Sequence, residues 1–156
     1  MKRIKSPWLG AEDYDCIGCS PTNPNGLKME FYADGEEVVG IWNTAPHFDG
    51  WNGVVHGGIQ SLMLDETGAW WVYYFKQAAT VTSKLDVRFI KTVSSSWDKI
   101  TLRAKFVKDL RTFVALHIEL FSPDGAVCAS AEAVYYVIPK DKSEKEYGFT
   151  KCELEE

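Results

Sequence analysis

The sequence lacks any apolar run near the roughly 20 residues that a membrane-spanning helix requires, so no helical membrane span is expected. It is also short of basic charge. Lys and Arg number 17 against 22 Asp and Glu, giving a net charge of -5 and a pI near 5.2. A nucleic-acid partner is therefore not expected, because affinity for a phosphate backbone comes mainly from clustered cations. An export signal is missing too: the N-terminus MKRIKSPW starts positive, but Glu12, Asp13 and Asp15 arrive before any apolar stretch. A cytoplasmic location follows as the expectation. Cysteine is sparse, at positions 16, 19, 128 and 152, and without an export signal reduced thiols are the default. Cys16-Ile-Gly-Cys19 has the spacing of half a zinc site, but no second CxxC and no nearby His pair completes it. No strand precedes it as in a thioredoxin-like unit. Neither metal nor cofactor is expected.

What is present is ordinary globular composition, 46% hydrophobic and 25% charged, over 156 residues, which suits one domain spanning 1–156. Residues 1–26 end in CIGCSPTNPNG, a turn-rich segment that reads as an ordered N-terminal loop. Residues 27–33 and 37–44 alternate apolar and polar side chains around the hairpin signal Asp34-Gly35, so they read as two antiparallel strands. Between Gly57 and Phe75 the period changes: Ile59, Leu62, Met63, Glu66, Trp70, Tyr73 and Tyr74 fall at three- and four-residue steps. That spacing predicts a helix, and its other positions are apolar enough to bury it nearly all round. Residues 80–92, 99–108, 112–122 and 126–138 return to period two and are rich in β-branched and aromatic residues, predicting four more strands. The charged tail 140–156 reads as solvated or loosely docked. The sum is an α+β fold, an antiparallel sheet covering one long buried helix, with subunit pairing expected to protect the sheet edges.

The chemistry concentrates in His56-Gly57-Gly58 and in Asp65, seven residues past Gly58. Two glycines at a helix start let a ligand approach the backbone, where free N–H groups carry partial positive charge suited to an oxyanion. Asp65 sits on an otherwise apolar helix, where a carboxylate without a role is costly. It lies about two helical turns, roughly 10 Å, from its own helix start. A second, antiparallel helix from a partner subunit would bring its N-terminus beside Asp65. Glu66 points about 100° away and is expected to bond loop backbone.

The same residues carry a resemblance. The HGG-x6-Asp segment, preceded by CxxC-x3-NP-x-GL over Cys16 to Leu27 and followed by Thr82-x6-Phe89, resembles the PaaI-like hotdog acyl-CoA thioesterases of the 4-hydroxybenzoyl-CoA thioesterase superfamily. The resemblance implies a hotdog fold and hydrolysis of an acyl-CoA or related thioester by a homodimer or homotetramer. It implies Asp65 as general base or nucleophile, an amide of Gly57 or Gly58 as oxyanion donor, and Thr82 as the hydroxyl that orients the carboxylate or water. His56, Asn52 and Ser83 are assigned to substrate binding. Some relatives carry an Asn where this chain has Gly50, and Asn52 is the nearby side chain to replace it. Lys84, Arg88, Lys91 and Arg103 are the cations offered to CoA phosphates. A non-catalytic acyl-CoA-binding hotdog protein is the alternative.

Overall fold

The computed structural model describes all 156 residues. Its elements run β1 (Lys2–Lys5), β2 (Glu30–Asp34), β3 (Glu37–Asn43), α1 (Gly57–Lys76), β4 (Thr80–Phe89), β5 (Lys99–Leu110), β6 (Phe113–Phe121), β7 (Val127–Val137), α2 (Lys140–Tyr147) and β8 (Glu153–Leu154). The eight strands form one sheet in the order β4-β7-β6-β5-β3-β2-β1-β8, with every pairing antiparallel.

Strand alternation builds the core. On β6 the inward positions Val114, Leu116, Ile118 and Leu120 are fully buried, while His117 and Glu119 between them face outward. Burying each such side chain contributes roughly 1.5–3 kcal/mol, so this one strand face is a substantial share of the hydrophobic stabilisation. The matching inward face of β7 is Ala129, Ala131 and Ala133, small residues that leave room for α1, followed by the buried Tyr135. The helix answers with Gly68, where an added Cβ would fall 2.1 Å from the Tyr135 hydroxyl. That close approach brings the middle of α1 down onto β7.

The helix was expected at 57–75 and ends one residue later, at Lys76, with Gln77 closing it in the left-handed conformation. Three parts of the chain differ from expectation. Residues 2–5 of the N-terminal segment form a strand, β1, which pairs with β2 through Lys2↔Ala33 and Arg3↔Tyr32. The tail is docked: Ile4 of β1 pairs with Leu154 of β8, and Ser143, Phe149 and Cys152 are buried. Ser143 accepts the Ala79 N–H at 3.0 Å and donates to the Ile138 carbonyl at 3.1 Å, tying α2 to the junction of α1 and β4. Strand β2 begins at Glu30, not 27, because Lys28 takes a positive φ of 56° and breaks the extended run.

At the other end of the sheet, β4 has only one strand neighbour, and most of its residues are exposed. No helix of this chain is long and apolar enough to cross a membrane.

Candidate active site

The start of α1 is shaped by His56. Its backbone is extended, with φ -56° and ψ 137°, and its Nδ1 accepts the Gly58 N–H at 2.8 Å. A side-chain acceptor at this position satisfies one of the four helix N–H groups left without partners. Of the two expected oxyanion donors, then, the Gly58 amide is already bonded to His56, and the Gly57 amide has no partner within the chain. A cleft of about 360 Å³ opens here, lined by Gly50, Trp51, Val54, Val55, His56 and Gly57. Phe89, at the end of β4, stands beside Gly57, its ring 3.4 Å from where a Gly57 Cβ would be. Gly50 packs on His56: a Cβ there would stand 3.3 Å from the imidazole Cδ2, so a larger side chain would press on the cap.

Asp65 is half-buried further along the helix, and its carboxylate is held on one side. Oδ1 accepts the Thr82 hydroxyl at 2.8 Å and lies 3.1 Å from the Tyr135 hydroxyl, which is also 3.0 Å from the Asp65 carbonyl oxygen. Oδ2 has no hydrogen-bond partner. Sheet register explains the convergence. Thr82 and Tyr135 are directly paired across β4 and β7, so their side chains leave the same face side by side. The register then slips between Thr82 and Lys84, which makes Ser83 the extra residue of a bulge, exposed and not bonded to Asp65. Burial, and then the Asp65 charge, hold the Tyr135 phenol well above its usual range, so it remains a proton donor.

The sequence pattern passed over Tyr135. The only trace of it is the alternation of β7, three small inward residues and then a large hydroxyl-bearing one. Replacing Tyr135 by Phe removes one of the two donors to Oδ1 while keeping the ring. A hydrogen bond to a charged group is worth about 1.5–3 kcal/mol, so kcat is expected to fall at least about tenfold in a thiol-release assay. A kcat within twofold of the parent would show that this hydroxyl does not position the carboxylate.

Asn52 is exposed in the turn before Val54 and is not bonded to Asp65, Thr82 or Tyr135. Asp49 organises that loop instead, its Oδ2 accepting the Gly53 N–H at 3.0 Å and the Ser95 hydroxyl at 3.1 Å. Arg103 forms ion pairs with Asp34 at 3.0 Å and Glu37 at 2.9 Å through one guanidinium nitrogen. Lys84, Arg88 and Lys91 are exposed.

Glu66 does not bond loop backbone as expected. Its Oε1 accepts the Trp70 indole N–H at 3.1 Å and lies 3.4 Å from Cys16 Sγ. Hydrogen bonds from Cys19 and the backbone, working against burial, hold the Cys16 thiol down to about 5. Burial, with the Cys16 charge beside it, pushes Glu66 up to about 8. A cavity of about 870 Å³ reaches Cys19 and Trp70 but is lined by none of Asp65, Thr82, Tyr135 and Gly57.

One long helix against an antiparallel sheet is the hotdog fold, and here it carries a half-held carboxylate in its middle and glycines at its start. The sequence model of the thioesterase superfamily matches residues 52–129, and the chain belongs to that superfamily. The matched segment holds the HGG run, Asp65 and Thr82, and stops short of Tyr135.

Three solved structures place the fold. A thioesterase superfamily protein superposes with a TM-score of 0.66 at 22% identity, covering 74% of this chain and 56% of its own. The chain thus spans little more than half the length of that relative. A thioesterase from Haemophilus influenzae gives 0.64 at 20% identity, covering 72% of this chain and 79% of that one. A phenylacetic acid degradation-related protein from Ralstonia eutropha gives 0.65 at 23% identity, covering 77% and 92%. No curated protein sequence matches significantly.

Proposed function

We propose that the protein hydrolyses acyl-CoA thioesters, with Asp65 as general base and the Gly57 amide of a partner subunit as oxyanion donor. The observation that carries this reading is the one-sided hold on Asp65. Two hydroxyls fix Oδ1 and leave Oδ2 free to take a proton from water. The oxygen left open faces solvent, where a water can reach it while the other oxygen stays fixed.

In this mechanism Oδ2 binds a water and takes its proton as the oxygen attacks the thioester carbonyl. Negative charge then develops on the carbonyl oxygen, where a fixed N–H at a helix start stabilises it. Collapse of the tetrahedral intermediate expels a thiolate. The parent thiol's pKa is only about 8.5, so no strong acid is needed to protonate the leaving group. His56 fits here as the group that sets the helix start through the Gly58 amide.

The shared site rests on distance and on exposed surface. Eight residues separate Gly57 from Asp65, about 12 Å of helix rise, too far for one thioester carbonyl to touch both within a chain. An uncovered β4 edge, with Val81, Phe89 and Ile90 about half exposed, supports closure by a second copy. An antiparallel partner helix would then set its Gly57 amide against this chain's Asp65.

The role of Asp65 is tested by a single turnover in ¹⁸O-enriched water with enzyme in excess over an acyl-CoA. A general base delivers one labelled oxygen to the acid product in that first turnover. Unlabelled product, with label left on the protein, would instead make Asp65 the nucleophile of a mixed anhydride. Failure to release thiol from acyl-CoAs across chain lengths and aryl groups, while simpler thioesters are cleaved, would remove CoA from the proposal.

A further inference from the structure

Cys16, Cys19 and Glu66 bring three acidic ligand atoms within 4.8 Å of one another, at the helix position next to Asp65. We propose that these three residues bind one zinc ion, or a thiophilic divalent ion like it. The half-site in the sequence thus gains its third ligand from the helix.

Four observations converge on this. Cys16 Sγ and Glu66 Oε1 stand 3.4 Å apart. Two such ligands at ordinary zinc distances and a tetrahedral angle would be about 3.6 Å apart, so little movement is needed to admit the ion. Each ligand atom also accepts a hydrogen bond from a group outside the trio or from backbone. The Cys19 N–H reaches Cys16 Sγ at 3.3 Å, the Tyr14 hydroxyl reaches Cys19 Sγ at 3.1 Å, and the Trp70 indole reaches Glu66 Oε1 at 3.1 Å. Outer donors of this kind orient ligands around a metal and temper the charge on thiolates.

Third, Gly18 makes the approach possible. Its φ is not positive, so its backbone conformation is open to other residues, but an added Cβ would fall 2.7–2.8 Å from the Glu66 carboxyl group. The space is what requires glycine. Fourth, the hydrogen-bond partners of the Glu66 carboxyl are the Cys16 thiol and the Trp70 indole, with no Lys, Arg or His in an ion pair with it. A carboxyl and two thiols gathered on a packed helix face without a cation are held together by protons or by a metal. A divalent ion that displaces those protons resolves the crowding of like charges. Cys19, Tyr14 and Trp70 line the cavity of about 870 Å³, which would give water a route to a fourth coordination position.

The test uses the full-length, reduced protein and cobalt(II), whose thiolate complexes are coloured. Titration is expected to give a near-ultraviolet thiolate-to-cobalt charge-transfer band that saturates at one equivalent and is displaced by zinc. Either Cys16→Ser or Cys19→Ser should lose the band, while a Cys128→Ser, Cys152→Ser double variant keeps it. Glu66→Gln, of nearly the same shape, should retain a band but weaken cobalt affinity at least tenfold. Circular dichroism of each variant establishes that it is folded. Three results would overturn the proposal: no band at one equivalent, a band that survives loss of Cys16 or Cys19, or a Glu66→Gln protein that binds cobalt as the parent does. Since the readout is metal binding, none of these outcomes depends on the hydrolytic assignment of Asp65.

Discussion

Asp65→Asn is expected to lower kcat by about 10³-fold, the range that loss of a positioned general base produces, with the assembly intact. The amide keeps the shape of the carboxylate, and its oxygen still accepts from the Thr82 and Tyr135 hydroxyls that now hold Oδ1 at 2.8 and 3.1 Å. What it loses is the proton affinity of the free oxygen. Steady-state thiol release, read beside thermal melting and size-exclusion chromatography, separates this effect from misfolding. Activity within threefold of the parent would remove Asp65 from the mechanism.

Gly57→Pro is expected to reduce kcat by about 10²- to 10³-fold, as for deletion of a single oxyanion donor, while leaving the helix formed. The substitution deletes the Gly57 N–H at a position built to accept it. Gly57 is the first residue of α1, where proline's fixed φ suits the helix and its missing N–H breaks no intrahelical bond. The preceding residue must be extended, and His56 already is, at φ -56° and ψ 137°. A Cβ at position 57 meets only the Phe89 ring at 3.4 Å, an ordinary contact. If kcat is unchanged while circular dichroism shows the helix retained, the oxyanion donor lies elsewhere.

How much of this was legible beforehand depends on the range of the interaction concerned. Helix α1 declared itself because apolar residues at three- and four-residue steps report local geometry, and its observed span departs from expectation by a single residue. The six longer strands were visible for the same reason. Strands β1 and β8 were not, because KRIK and Glu153-Leu154 are too short to show a period, and they stabilise each other across nearly the whole chain. Thr82 could be chosen over Ser83 by alternation, and the bulge between Thr82 and Lys84 leaves it opposite Tyr135. That Tyr135 reaches Asp65 at all depends on strand register and on Gly68 letting the helix down, neither of which leaves a mark at position 135 itself. The bond between His56 and the Gly58 amide was equally hidden, since histidine is not among the usual helix-capping residues. Glu66 was assigned to loop backbone because local geometry gave only its direction from the helix. Its actual neighbours, Cys16 and Trp70, come from a loop fifty positions earlier and from the next helical turn.

The most direct test of a site divided between subunits mixes the two inactive variants. Equal amounts of Asp65→Asn and Gly57→Pro protein, unfolded and refolded together, should yield hybrids in which one of the two sites pairs an intact Asp65 with an intact Gly57. With random assortment into two-fold symmetric dimers, about a quarter of the parental activity is expected to return. Hybrids verified by native mass spectrometry that remain as inactive as either parent variant would contradict the shared site.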